Sequence, residues 1–153
     1  MIEIANVSAV GELLDREIAV SDWFDVTQER IDRFAEATGD RQWIHVDPAR
    51  AAVHSPFKST IAHGFLTLSL VSAFGQNAMH VDGLRMAINY GLNRVRFITP
   101  VTAGSRIRGR FAPIAMSAAN EAVQVTWRVT IEREHANKPC CVADWIVRYY
   151  PLQ

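Results

Sequence analysis

The feature that most constrains the fold of this chain is a helical stretch that carries no charge. From Gly64 to about Met79 the sequence reads Gly-Phe-Leu-Thr-Leu-Ser-Leu-Val-Ser-Ala-Phe-Gly-Gln-Asn-Ala-Met, without one Asp, Glu, Lys or Arg. A helix that is apolar nearly all round must be covered by protein on most of its sides. In a chain of 153 residues, a curved β-sheet wrapped around the helix is the natural cover.

The second half of the chain has the pattern of such a sheet. From Val123 to Ile131 apolar and polar residues alternate strictly, as in a strand with one buried face. Shorter alternating segments lie at Cys141–Val147, Arg106–Phe111 and Arg94–Phe97, and an early strand is expected near Ile18–Asp25. Short turns at 118–120 and 136–138 favour antiparallel pairing. The predicted fold class is α+β, with residues 1–153 as a single domain and one antiparallel sheet around a long apolar helix.

Two further helices are expected in the first half. Thr27 is suited to cap the first, and Gly39 supplies a stop signal for it. Asp47 followed by Pro48 is the pattern of a second, short helix, which would end near Pro56.

Charge and composition narrow the class of protein. The formal net charge is zero, so nothing points to nucleic acid. No apolar run is long enough to span a membrane, and the N-terminal residues lack the pattern of a signal peptide, which makes a cytoplasmic protein the expectation. The adjacent Cys140 and Cys141 point to opposite faces of a strand, and no Cys/His spacing indicates zinc. No metal site is therefore predicted.

Asp40 and His45 lie in the loop between the first two helices. A carboxylate and an imidazole that converge on one water suit the hydration of a 2-enoyl thioester. That reaction needs a base for the water and an acid for the α-carbon. The residue types alone favour the plainer interpretation, in which Asp40 caps a turn and His45 packs within the loop.

Gly64 begins the apolar helix, directly after His63. Its backbone N–H, at a helix N-terminus, would favour a developing enolate oxygen, although a glycine needed only for packing is equally consistent with the pattern. His63 is a competing catalytic candidate, and a structural hydrogen-bonding role is the favoured interpretation.

Other polar residues are weaker candidates for the site. Ser72 faces either a substrate cavity or its own helix backbone, and the second is the commoner case. Around Tyr90 and Gly91 a strand pattern is interrupted, which indicates a bulge or a close backbone approach. Five arginines are candidates for the phosphates of a CoA carrier, although solvent-facing strand positions explain most of them equally well: Arg94, Arg96, Arg106, Arg108 and Arg110.

The segment from Phe34 to Ala51 resembles the signature of the MaoC-like (R)-specific enoyl-CoA hydratases. The matching positions are Phe34, Thr38, Gly39, Asp40, Ile44, His45 and Ala51. The family's Asn-Pro pair is replaced by Gln42-Trp43, and Ala37 stands for a larger aliphatic residue or Gly. The segment from Ile61 to Leu66 resembles the second landmark of the family, and Ser72 stands where a family active-site serine is found.

The resemblance implies a hotdog fold and a homodimer with a substrate tunnel. It implies that Asp40 and His45 activate the water and transfer the proton, and that the Gly64 N–H polarises the carbonyl of an acyl-CoA thioester. No cofactor is implied, since CoA belongs to the substrate. Trp43 is expected to shape the acyl pocket.

Three other functions stay open at this point. The chain is also consistent with a 3-hydroxyacyl-carrier-protein dehydratase, a thioesterase, or a non-catalytic acyl-binding subunit. The Gly39-Asp40 and His45 signature argues against the thioesterase, and the altered Gln42-Trp43 pair is the reason to keep the non-catalytic subunit.

Overall fold

A computed structural model describes residues 1–152. The first part of the chain contains β1 (Ile2–Ile4), a 3-10 helix (Val7–Leu13), β2 (Ala19–Val20) and β3 (Phe24–Val26). Five helices follow: α1 (Gln28–Thr38), α2 (Trp43–Val46), α3 (Pro48–His54), α4 (Gly64–Ser69) and α5 (Val71–Ala78). The remaining strands are β4 (Met79–Val81), β5 (Leu84–Phe97), β6 (Ser105–Ala119), β7 (Ala122–Arg133) and β8 (Cys141–Pro151). None of the helices in this described part has the length and apolar character needed to cross a membrane.

The predicted helix boundaries in the first half are confirmed. The Thr27 side chain accepts the Arg30 N–H at 3.2 Å and so caps α1. Gly39 ends this helix with φ of 79° and donates its N–H to Ala35. At the start of α3 the Asp47 carboxylate accepts the Arg50 N–H at 2.9 Å. These caps fix both ends of the segment that contains Asp40 and His45. The sequence predicts a loop for both residues, but His45 instead lies on a short helix, α2, that the sequence pattern does not predict.

The apolar helix is interrupted, whereas the sequence predicts one continuous element. It consists of α4 and α5, which meet at Leu70, where ψ is −11°. The Ser69 hydroxyl donates to the Leu66 carbonyl at 2.8 Å. Such bonding of a side chain back to the helix carbonyls bends helices and accounts for the break.

One six-stranded antiparallel sheet has the strand order β2-β6-β7-β8-β5, with β3 also paired to β6. β1 and β4 form a separate parallel pair. The single early strand predicted near Ile18–Asp25 is wrong in detail, because it is divided into β2 and β3. At the break the Ser21 hydroxyl, rather than a backbone carbonyl, accepts the Gly109 N–H at 3.0 Å.

The core lies between α5 and the inner face of the sheet. Phe74 of α5 packs so closely on β6 that a Cβ on Gly109 would lie 2.9 Å from the Cβ of Phe74. Trp127, at the centre of β7, is fully buried. The predicted inward-facing row of β7 is confirmed, since Val125, Val129 and Ile131 are also buried and Val123 is partly buried against the same core.

The sheet is exposed along β5, the edge strand at the end of the strand order. Every residue of this strand is exposed or only half-buried, including Val95 and Phe97, the apolar residues of its alternating segment. The predicted bulge is confirmed, because the register with β8 shifts between Asn89 and Gly91, leaving Tyr90 unpaired.

Candidate active site

His45 is held by the backbone of a neighbouring segment. It lies on α2, is 7% exposed, and its Nδ1 is 2.6 Å from the carbonyl oxygen of Ile61. A carbonyl oxygen only accepts hydrogen bonds, so the neutral ring carries its proton on Nδ1 and presents a lone pair at Nε2. The Ile61 N–H in turn donates to the Ile44 carbonyl at 3.0 Å. The imidazole orientation therefore depends on how residues 60–62 are fixed.

The surroundings of His45 keep its ring neutral. Burial lowers the pKa of His45, the hydrogen bond to Ile61 opposes this effect, and the nearby His63 lowers the pKa further. The Asp40 carboxylate raises it, but the net direction is downward. At neutral pH Nε2 is thus available as a proton acceptor.

Asp40 lies beside this imidazole, directly after the left-handed Gly39 that ends α1. Its Oδ1 accepts the Gln42 N–H at 3.3 Å, and the carboxylate remains exposed. Ligand atoms of Asp40, His45 and His63 all lie within 4.8 Å of one another. One water molecule bridges groups at such a distance, so the loop brings together the carboxylate and the imidazole that hydration needs.

His63 contacts both of the other residues. Its ring stacks on that of His45, with centroids 3.8 Å apart and planes inclined by 27°. His63 Nε2 lies 2.9 Å from the Asp40 carbonyl oxygen, which assigns the proton to Nε2. The ring is 2% exposed, and its Nδ1 has no protein partner among the described residues.

Asp40, His45 and His63 have the ligand types of a metal site, but the two imidazole rings are poorly oriented to share a metal ion. Two stacked, nearly parallel imidazoles direct their lone pairs side by side, whereas a shared zinc ion needs both nitrogens at about 2 Å and in the planes of their rings. A second group of possible ligands in the described chain, Glu3, His80 and Asp82, is exposed.

Gly64 begins α4 next to His63. Its backbone φ lies outside the left-handed region, and a Cβ at this position would meet the Phe97 ring at 3.1 Å. Gly64 lines a cavity of about 250 Å³ together with Phe97. The structure thus shows a close packing contact at Gly64 and leaves its N–H, in the first turn of the helix, without an intrahelical partner.

Ser72, Tyr90 and Gly91 form a different part of the surface. They line a cavity of about 370 Å³ between α5 and β5, which adjoins a groove of about 490 Å³. Ser72 is eight residues beyond Gly64, about 12 Å along a helix. Neither Asp40 nor His45 lines either of these cavities.

Asn89 and Trp145 also belong to this second region, and the sequence pattern does not predict either of them as a site residue. Trp145 donates its indole N–H to Asn89 Oδ1 at 3.1 Å, and Asn89 donates from Nδ2 to the Ser72 hydroxyl at 3.1 Å. Asn89 and Trp145 come from neighbouring strands, so only the pairing of β5 with β8 places them together.

Most of the arginines proposed for CoA phosphates have other partners. Arg106, Arg108 and Arg110 pair with carboxylates, namely Glu134, Glu132 and Glu17. Arg94 and Arg96 are exposed on β5. The alternative expectation, that these arginines occupy solvent-facing positions of strands, fits Arg94 and Arg96 directly.

Trp43, the residue that replaces a proline of the family signature, begins α2. The Arg50 guanidinium lies over its ring, 4.5 Å from the centroid. This cation–π contact holds the indole against α3, beside the segment that contains Asp40 and His45.

Comparisons with known proteins agree with this geometry. The model of a family described as MaoC like domain matches residues 9–135. The chain is 49% identical to 3-hydroxyacyl-thioester dehydratase Z of Mycobacterium tuberculosis, over 94% of this chain and 95% of that protein. It is 48% identical to Nodulation protein N of Rhizobium leguminosarum bv. viciae, over 92% of this chain and 89% of that protein.

Solved structures share the fold. The R-hydratase PhaJ1 from Pseudomonas aeruginosa superposes with a TM-score of 0.70 at 25% identity, covering 92% of this chain and 84% of that one. An (R)-hydratase from A. caviae gives a TM-score of 0.68 at 22% identity, covering 92% and 98%, and so supports the fold alone. The predicted hotdog fold is confirmed, and the chain belongs to the MaoC-like dehydratase family of hydro-lyases.

Proposed function

We propose that this protein catalyses the reversible addition of water to trans-2-enoyl-CoA, giving (R)-3-hydroxyacyl-CoA. The observation that carries the proposal is the grouping of the Asp40 carboxylate and the His45 imidazole within 4.8 Å. The (R) configuration is proposed from the similarity to PhaJ1, which is an R-hydratase.

In the proposed reaction a water molecule binds between Asp40 and His45. One of its protons passes to this pair as the oxygen forms a bond to the β-carbon of the enoyl group. A proton is then delivered from the pair to the α-carbon, which restores both residues and completes the addition of one water. The Gly64 N–H stabilises the enolate oxygen that forms in between.

The second candidate is a 3-hydroxyacyl-carrier-protein dehydratase, which uses the same chemistry on a different carrier. The relative from Mycobacterium tuberculosis is named for 3-hydroxyacyl thioesters in general, a class that includes both carriers. Paired CoA and carrier-protein substrates of one acyl length decide between them through the ratio of their kcat/KM values.

We further propose that the working form is a homodimer joined along β5. This strand has β8 on one side only, and its other edge is open. It exposes a row of large apolar side chains to solvent: Met86 at 41%, Ile88 at 44%, Tyr90 at 55% and Leu92 at 41%. A long apolar edge strand of this kind is typically covered by another chain. A dimer of this form would also add a second wall to the cavities beside β5.

The test is turnover of crotonyl-CoA and longer enoyl-CoAs, followed by loss of enoyl absorbance. We expect Asp40→Ala and His45→Ala each to lower kcat by about 10²- to 10⁴-fold, the usual range for a general acid or base. His54→Ala is the matched control, because His54 is exposed on α3, and its activity is expected to equal that of the wild type.

An inactive wild type across all chain lengths, or full activity in both alanine variants, would overturn the proposal. Release of free thiol from saturated acyl-CoA would assign a thioesterase instead. Binding of acyl-CoA without turnover would assign a non-catalytic subunit.

A further inference from the structure

Gln28 links three segments of the catalytic region. It is the first residue of α1 and is half-buried. Its Nε2 donates to the His45 carbonyl at 2.7 Å and to Asp32 Oδ1 at 2.8 Å. Its Oε1 accepts the hydroxyl of Thr60. Both amide N–H groups and the amide oxygen are thus engaged.

The partners of Gln28 are those that set the orientation of the His45 ring. Thr60, which is 2% exposed, directly precedes Ile61, whose carbonyl accepts the Nδ1 proton of His45. The Thr60 carbonyl accepts the Ala103 N–H at 3.0 Å, which fixes the same segment from its other side. Gln28 therefore holds the backbone of His45 through one bond and, through the Thr60 hydroxyl, the residue that precedes the acceptor of its imidazole.

We propose that Gln28 is a positioning residue that keeps the His45 imidazole in its Nδ1-protonated form with Nε2 directed to the reacting water. Gln28 acts through its hydrogen bonds to His45 and Thr60 and does not contact the substrate. The inference rests on the proposed hydratase function, because its consequence for rate depends on His45 serving as the base.

The amide group is the chemistry that this position requires. The Asp32 carboxylate and the His45 carbonyl only accept hydrogen bonds, so they require the NH₂ end of the side chain. The Thr60 hydroxyl donates to the amide oxygen. A carboxylate in place of the amide would oppose Asp32 and the carbonyl, and a shorter Asn would not span the same three partners.

Capping does not explain these contacts. The Thr27 side chain already caps α1, and Asp47 caps α3. The bonds of Gln28 reach 17 and 32 residues along the chain, to His45 and Thr60. They join separate segments around His45 rather than complete the helix that contains Gln28.

The experiment compares Gln28→Met with Gln124→Met. Both replace an amide with an apolar side chain of similar length. Gln124 accepts one hydrogen bond from Arg148 on the sheet and has no contact with His45 or Thr60. Two properties are measured: kcat and KM for an enoyl-CoA, and the ¹⁵N chemical shifts of the His45 ring. The His45 signals are identified by their loss in His45→Ala.

For Gln28→Met we expect kcat to fall about 10- to 100-fold with KM within about threefold, since misplacing a catalytic group by about 1 Å costs up to 10²-fold. We also expect its ring shifts to move from the Nδ1–H pattern toward a mixture of tautomers. Gln124→Met is expected to match the wild type in both properties. The proposal is overturned if Gln28→Met keeps the wild-type kcat and ring shifts, or if both variants lose activity equally.

Thr60→Val provides a second variant in case Gln28→Met does not fold. It removes only the hydroxyl that bonds Gln28, and a smaller loss of kcat with the same direction of ring shifts is expected. Unchanged kcat and ring shifts in Thr60→Val would count against the proposal. If the wild type shows no turnover at all, the hydratase proposal fails, while the ring shifts still decide whether Gln28 positions His45.

Discussion

Gly64→Ala separates the two roles that the sequence allows for this glycine. Either Gly64 is needed because the Phe97 ring packs against it, or it is needed because a thioester carbonyl must reach its N–H. The substitution adds one methyl group at 3.1 Å from the ring. The backbone tolerates alanine, because the φ of Gly64 lies outside the left-handed region.

The expected cost to stability is small. Overpacking typically costs about 1–3 kcal/mol, and the low end applies here because the contacted Phe97 ring is 47% exposed in the single chain. Alanine gains about 0.5–1 kcal/mol over glycine in the middle of a helix, and the low end applies at the first position of α4. The net change in unfolding free energy is therefore within about 0.5 kcal/mol, and the change in Tm is about 2 °C or less for a chain of this length.

The expected cost to catalysis is large. If the carbonyl oxygen must approach the Gly64 N–H, the methyl group blocks it, and losing one such donor costs about 10²- to 10³-fold in kcat. Enoyl-CoA turnover and thermal unfolding measure the two effects separately. Gly11→Ala is the matched control, since its added Cβ would lie 3.2 Å from the flexible end of Met116, in the 3-10 helix.

The double variant Gly64→Ala/Phe97→Ala completes the test. Removing the ring relieves the packing contact and leaves the methyl group beside the N–H. We expect the double variant to stay inactive. Recovery of activity on removal of Phe97, or a single variant with more than half of the wild-type kcat, would refute the role of the N–H and leave packing as the reason for the glycine.

Three further predictions concern the base, the second polar region and the dimer. Because burial lowers the pKa of His45, the acid limb of kcat/KM is expected below about pH 6.5. Between the lowered pKa and about pH 6.5, the His45 ring binds more protons in the unfolded state than in the folded state. The unfolding free energy is therefore also expected to fall as the pH drops through this range, and then to level off. An acid limb above about pH 7 contradicts this assignment. Ser72→Ala leaves the Asn89 amide without its acceptor. It is expected to lower kcat/KM about tenfold in steady-state assays, which corresponds to the loss of one hydrogen bond. Unchanged kinetics would argue against a substrate contact in this region. Ile88→Lys places a charge on β5 and is expected to give monomers in sedimentation, whereas Val20→Lys on the opposite edge keeps the dimer; a wild type that is already monomeric refutes the interface.

The parts of the fold that the sequence predicts are those with a long repeating pattern. β7 has a partner on either side and a buried face, so its alternation persists over most of its length. The pair formed by β1 and β4 has only three residues in each strand, too few to show a period. The break between β2 and β3 depends on the Ser21 hydroxyl, whose partner lies 88 residues away.

The candidate site also contains some residues that the sequence predicts and others that it does not. Asp40 and His45 are close in sequence, so a turning loop between two capped helices suffices to predict that they meet. Asn89 and Gln28 depend on partners 17 to 56 residues away, and nothing in their local sequence distinguishes them from other polar residues. Contacts of this kind arise only when distant segments pack together.

The replacement of the family's Asn-Pro by Gln42-Trp43 bears most directly on whether this loop is active. Trp43 occupies the first position of α2, where proline is favoured because no N–H partner is needed. Losing a compatible proline costs about 0.4–1 kcal/mol through the greater freedom of the unfolded chain.

Contacts made to this segment by residues of α1 and α3 are of a size that offsets this loss. The Arg50 guanidinium over the Trp43 ring contributes about 0.5–1 kcal/mol, and a hydrogen bond such as that from Gln28 to His45 contributes about 1 kcal/mol. The Gln42 N–H still binds the Asp40 carboxylate, and the Gln42 carbonyl accepts the His45 N–H at 2.9 Å. The loop thus holds Asp40 and His45 in place without the proline, which favours the proposed hydratase over a non-catalytic subunit.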